Sequence, residues 1–273
     1  MPNPMLNEKK LEEARAGWAA PEPPSPGGQT WPPPVEPGTR VDDGPVSPWT
    51  GGMTVKGTIT ATAVLFVLLL GTATAGWLAT DTTEDQFEFP GLALVGVVIG
   101  FACVIGLWFR PQLAKILGPI YALAQGFFVG AISKAFEAVY PGIVVQAVGA
   151  TLGVFAVMLV LYRTNVIKVT DRFRRTVIFA TLGVMVLYLV SFVISLFGGS
   201  VPVINDASLI GVLFSFFVAG LAALNLALDF DFIERGSREG LAKDYEWYAA
   251  FGLLVTLVWL YLEILRLLGK LRQ

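Results

Sequence analysis

After residue 52 this chain is made of apolar runs long enough to cross a bilayer, and that leaves few folds open to it. A spanning helix needs about 20 predominantly apolar residues. Inside hydrocarbon, backbone N–H and C=O groups must bond within the protein, so runs of this kind read as transmembrane helices. Residues of the types AVILMFWYC make up 55% of the chain before glycine is added. A soluble domain averages roughly 45–50% with glycine included. Mean hydropathy is +0.66. The expected fold class is all-α, a polytopic membrane bundle of about seven helices.

Residues 1–52 read as a separate, Pro-rich tail and residues 53–273 as the membrane domain. Runs such as PEPPSP and WPPPVEP carry no apolar periodicity, so the tail is expected to be disordered and partly polyproline. It lacks the apolar core of a signal peptide. Such tails are solvated or dock onto partner domains. Residues 7–15, NEKKLEEAR, could form a surface helix too short to be stable alone.

Seven spans follow, at 57–79, 91–109, 113–136, 143–162, 176–197, 209–233 and 247–268. The third has the weakest pattern, because Lys115, Gln125 and Lys134 interrupt it. Short connections make consecutive helices antiparallel neighbours. Lys and Arg crowd the even-numbered connections: Arg110 and Lys115, then Arg163, Lys168, Arg172, Arg174 and Arg175, then Arg235, Arg238 and Lys243. The first connection carries only acids, among them Asp81, Glu84, Asp85 and Glu88. By the positive-inside rule the even connections and the N-terminus face the cytoplasm of a multi-pass plasma-membrane protein. Seven full crossings then strand Arg266, Lys270 and Arg272 outside. Either the early spans dominate the topology or the last segment dips in and returns. Gly96/Gly100, Gly126/Gly130 and Gly149/Gly153 have the spacing that lets helix backbones approach closely.

Chemistry is confined to a few polar residues in these runs. Asp229 lies inside the sixth span, where a carboxylate costs about 2.5–3.5 kcal/mol at mid-bilayer on insertion scales. Asp231 is about 200° around the helix, so the two acids should not share a site. Asp229 follows Asn225 by four residues; Asp231 and Glu234 are near enough to the loop to be solvated. One reading makes all three acids interfacial, beside Arg235. The other makes Asp229 an interior gate residue, needing a positive partner or a proton. Arg110, closing the second span, is a candidate partner or a snorkelling anchor. Glu263 and Arg266 can pair on one helix face, either as a structural unit or along the same interior path as Asp229. Thr256 can hydrogen-bond a neighbouring helix.

The chain has no His and one cysteine, Cys103, inside an apolar run. This removes His proton shuttles, most zinc and haem ligation, and any internal disulfide. No P-loop, GxSxG or HExxH motif is present, and an intramembrane aspartyl protease would need a second aspartate in a characteristic context. The membrane region has too few carboxylates for a calcium cage of six to eight oxygens. No enzyme activity, cofactor, bound metal or nucleic-acid partner is expected.

Together, IGLWFR, ALAQGFFVGAIS, LALDFDFI and YLEILRLLG, in this order on short-looped spans, resemble the Bax inhibitor-1/YccA family, closest to its prokaryotic branch, over about residues 53–270. The resemblance implies six helices around a central seventh, and a pH-sensitive calcium leak with an aspartate on each of the last two spans. Asp229 matches the first aspartate, and Arg110 an arginine that can latch it. Thr256 stands where the second aspartate would be, and Gln125 where many members have Glu. The resemblance therefore implies a cation leak gated near Asp229 and Arg110, with Ca2+ as the permeant ion. Its alternative is a regulator that binds a membrane-bound AAA protease through the N-terminal tail. A third reading is a membrane protein without transport.

Overall fold

The computed structural model describes residues 51–80, 82–83, 86–87, 91–197, 199 and 206–273, all within one unit, Val46–Gln273. The expected disorder, docking segments and short helix of residues 1–50 lie outside the described residues, as do Asp81, Glu84, Asp85 and Glu88. Among the described residues there are seven α-helices: α1 (Val55–Leu78), α2 (Gly91–Phe109), α3 (Ala114–Val139), α4 (Ile143–Arg163), α5 (Asp171–Leu196), α6 (Leu209–Glu239) and α7 (Tyr245–Leu271). Six are long and apolar enough to cross a membrane, and α2 is the shorter one. A two-residue antiparallel ribbon, β1 (Thr82–Thr83) against β2 (Gln86–Phe87), lies between α1 and α2.

Local sequence sets where the helices begin and end. Thr54, Thr170 and Ser208 cap α1, α5 and α6, each hydroxyl accepting from the amide three residues on. Thr170 explains why α5 starts five residues before the expected 176, so that Arg172, Arg174 and Arg175 are helical. Likewise α6 does not stop at Ile233 but runs to Glu239, ending where Gly240 turns left-handed at φ 69°. Arg235 and Arg238 are therefore on the helix and not in a loop. Pro111 follows α2 and opens the 3-10 turn Pro111–Leu113. At the start of α4 the carboxylate of Glu137 accepts from the amides of Gly142 (2.6 Å) and Val144 (3.0 Å).

The third span, weakest in sequence pattern, is an unbroken helix of 26 residues. Its lysines fall near its two ends: Lys115 pairs with Asp244 at 2.6 Å, and Lys134 lies over the ring of Trp77, 5.1 Å from the centroid. Two of the three glycine pairs sit at close approaches. Added methyl groups at Gly126 and Gly130 would overlap the carbonyls of Leu69 and Ala73 on α1, and one at Gly76 would overlap Phe127 on α3. Gly96 faces the Ala124 carbonyl and Gly100 the Gln125 side chain, joining α2 to α3. The Gly149/Gly153 expectation fails: a methyl at either position meets nothing, so this face of α4 is open.

The most enclosed helix is α7, which packs on α1, α3, α4 and α6. Leu254, Leu260 and Leu265 of α7 meet Leu65 of α1 and Leu226 of α6 in the main core, while a smaller cluster of Val177, Val184, Val218 and Leu221 joins α5 to α6. Large apolar side chains such as Val67, Val98, Phe179 and Phe192 point outward. On a soluble protein such a belt would be a liability; across a bilayer it is the lipid-facing surface.

The antiparallel helices give the bundle two ends. The first holds the start of α1 and the α2–α3, α4–α5 and α6–α7 connections. The second holds the other connections and the C-terminus. For the last segment, left open between a full crossing and a dip and return, α7 is one continuous helix of 27 residues. Its stranded cations are consumed at the second end. Lys270, 6% exposed, donates to the Gly211 carbonyl at 3.0 Å. Arg272 donates to the Pro141 carbonyl and to Gln146, both at 2.9 Å.

Candidate functional site

Asp229 points inward from α6 onto α7. Its Oδ1 lies 3.6 Å from where a side chain on Gly252 would begin, in van der Waals range of the α7 backbone. Thr256, one turn along α7 and 8% exposed, supplies the hydroxyl that hydrogen-bonds the carboxylate. Oδ2 is sealed from solvent and has no hydrogen-bond partner. The surrounding side chains of Leu226, Ala227 and Phe230 are buried. Of the two readings the sequence left open for Asp229, the inward one is what the fold contains.

The Thr256 hydroxyl has a second claim on its proton. It donates to the Gly252 carbonyl at 3.1 Å. One hydroxyl carries one proton and cannot fully satisfy both oxygens. If Asp229 carries a proton, it donates to Thr256 Oγ1 and Thr256 donates to Gly252, and the chain is complete. If Asp229 is ionised, two acceptors compete for one donor. The α6–α7 contact thus differs between the protonation states.

The other candidates are distributed around this point. Arg110 is exposed and forms no ion pair among the described residues, so the structure does not bring it to Asp229. Asn225 turns away, donating to Thr181 Oγ1 on α5 and to the Leu221 carbonyl, both at 2.9 Å. Gln125 packs against Gly100. Asp231 does point elsewhere than Asp229, but it is not solvated as expected: its side chain is 13% exposed and its Oδ2 receives Arg174 and Arg235, both at 2.6 Å. The lengthening of α5 is the cause, since it brings Arg174 across from α6. Glu234 accepts from Tyr162 (2.7 Å) and pairs with Arg238 (2.6 Å).

Sequence reasoning missed two features. The first is Glu246, 6% exposed at the start of α7, which accepts from the amide and hydroxyl of Thr54 at 2.9 and 2.8 Å. Beside it Met53 donates to the Leu241 carbonyl at 2.6 Å and Gly52 bridges Ala242, so residues 52–54 are tied to the α6–α7 connection. Nothing in the charged stretch around Glu246 distinguishes it from a loop acid. The second is Tyr188, one of several hydroxyl-bearing residues in an otherwise apolar span. Glu263, 2% exposed, pairs with Arg266 at 3.3 Å, as its spacing allows, and also accepts from Tyr188 (2.8 Å) and Trp259 (3.3 Å). Arg266 donates to the same Tyr188 hydroxyl at 2.8 Å. The buried Leu257, Val258 and Leu260 separate this cluster from Thr256 along α7.

The bundle thus holds one carboxylate against its most enclosed helix, ion pairs of Asp231 and Glu234 towards one end and the Glu263–Arg266–Tyr188 cluster towards the other. Among the described residues no group of three or more His, Cys, Asp or Glu could hold a metal. No curated protein matches the chain. The family model described as Bax inhibitor 1 like matches residues 3–273, which takes in the Pro-rich tail that the shorter resemblance left out. By that match, spanning essentially the whole sequence, and by its bundle of membrane-spanning helices, the chain belongs to the Bax inhibitor-1-like family of multi-pass membrane proteins.

Proposed function

We propose that the chain is a cation leak channel, with Ca2+ as permeant ion, and that the structure is its closed state, gated by Asp229 against α7. The observation that carries this reading is the sealed, unpartnered Oδ2 of Asp229 beside Gly252 and Thr256. An acid kept away from lipid at this cost marks a functional path by default. The first end faces the cytoplasm of the plasma membrane, in keeping with Arg163, Lys168, Arg172 and Arg175 at that end. Thr256 replaces the shared-proton partner carboxylate with a relay, so one group titrates where the family resemblance implies two.

Protonation completes the Asp229–Thr256–Gly252 chain and holds α6 to α7. Ionisation leaves the contact short of a donor and favours separation. Calcium flux into dye-loaded liposomes should therefore rise with pH for the wild type. Asp229→Asn, whose amide can donate to Thr256 permanently, should give a low flux that does not vary with pH. Equal flux from the two proteins at every pH would remove Asp229 from the mechanism.

A second reading, a regulator that grips a membrane-bound AAA protease through residues 1–50, draws on the family match beginning at residue 3. Deleting residues 1–50 separates the two. Flux survives the deletion if the chain is a channel. Capture of the protease is lost if it is a regulator.

A further inference from the structure

A cleft of about 350 Å³ opens sideways between α1 and α4, with α3 and α7 as its floor. No residue of α6 lines it, so it is separate from the Asp229 contact and independent of the channel reading. Its size is at the lower end of ligand pockets, roughly 300–1,000 Å³. The polar groups in its floor and walls are already satisfied: Ser133 bonds Tyr261 at 2.7 Å and Thr151 donates to its own helix at 2.7 Å. The cleft therefore offers a guest apolar surface. Leu70, Val148 and Leu152 at its mouth are 58%, 43% and 57% exposed. They lie within spanning helices, so what reaches the mouth is hydrocarbon and not water.

Two further observations define the guest. On α1 the cleft extends from Phe66 to Trp77, eleven steps of helix and about 16 Å. That is about half of a hydrocarbon core roughly 30 Å thick, the depth of one leaflet. Trp77 marks the outer end, where indole rings sit at headgroup level. Half-buried Lys134 lies over that ring and makes no ion pair among the described residues. A cation at the headgroup end of a one-leaflet apolar slot is complementary to a phosphate carrying an acyl chain.

We propose that this cleft is a binding site for an anionic phospholipid, one acyl chain lying between α1 and α4 and the phosphate held by Lys134. A lysine near the membrane surface strengthens binding of acidic lipid about fivefold.

The test uses the full chain in nanodiscs containing phosphatidylglycerol or phosphatidylcholine bearing a diazirine near the chain terminus. After illumination, labelled peptides are mapped by mass spectrometry. Wild type should be labelled at cleft residues such as Leu70, Val148 and Leu152, more by the phosphatidylglycerol probe. Lys134→Gln should abolish that preference, a loss of about fivefold, while leaving chain labelling. Val148→Trp with Leu152→Trp, both on the exposed wall, should abolish labelling by either probe. Labelling no stronger in the cleft than on the open face of α4 at Gly149 would overturn the proposal. So would a headgroup preference that survives Lys134→Gln. Crosslinks from cleft residues to a second copy of the chain, in place of lipid, would assign the cleft to a helix and overturn it too.

Discussion

Thr256 puts a single hydroxyl where the family resemblance implies a second carboxylate. Thr256 faces both Asp229 and the Gly252 carbonyl. Replacing it with valine keeps the shape and removes the hydroxyl that the carboxylate meets. Leaving a buried acceptor unsatisfied costs about 1–3 kcal/mol. Thr256→Val should therefore lower the unfolding temperature in detergent and raise the calcium leak of liposomes. Arg110→Ala offers the contrast. Its side chain is exposed and unpaired among the described residues, so the change should stay within about 0.5 kcal/mol, with no shift in the unfolding curve. That Asp229 would be a costly acid to place was legible from its position in an apolar run. Its partner was not, because Arg110 and Thr256 both fit the spacing and only the packing of α7 decides between them. Asp231 shows the converse: five added residues of helix α5 and one N-cap, Thr170, turned an expected solvated acid into a clamped one.

At the scale of helices, apolar length located every span, and the errors sat at the ends. Charged residues lower the hydropathy of a helix end while its caps extend it, so α5 and α6 overran their apolar runs. Glycine spacing was a weaker guide, since it shows where a helix can approach another and not whether one is there. Two substitutions separate these cases. Gly130→Leu must push α1 away from α3, because even a methyl group there overlaps the Ala73 carbonyl. Gly149→Leu enters open space. Thermal unfolding should show the first destabilised by several kcal/mol or unable to fold, and the second unchanged or slightly stabilised, as expected for removing a glycine from a helix.

For the molecule as a whole, seven full crossings would put the start of α1 and the end of α7 on opposite sides of the membrane. Cys103 is buried and is the only cysteine, so Cys103→Ala gives a clean background for single thiols. A membrane-impermeant maleimide applied to intact cells should label Thr83→Cys and Gln273→Cys but not Gly28→Cys or Asn165→Cys. Labelling of Gln273→Cys only after lysis would contradict a full last crossing. The sequence posed this problem through Arg266, Lys270 and Arg272 but could not resolve it, because the Tyr188 hydroxyl and the Gly211 and Pro141 carbonyls that they meet come from distant parts of the chain.

Glu246 ties the strand of chain entering α1 to the opening turn of α7 through two bonds from Thr54. Mechanically this is a short lever. Traction on the N-terminal arm would not be absorbed at the periphery; it would arrive at the axial helix, less than three turns from the residue Asp229 leans on. Whatever grasps that arm acquires a handle on the innermost part of the protein.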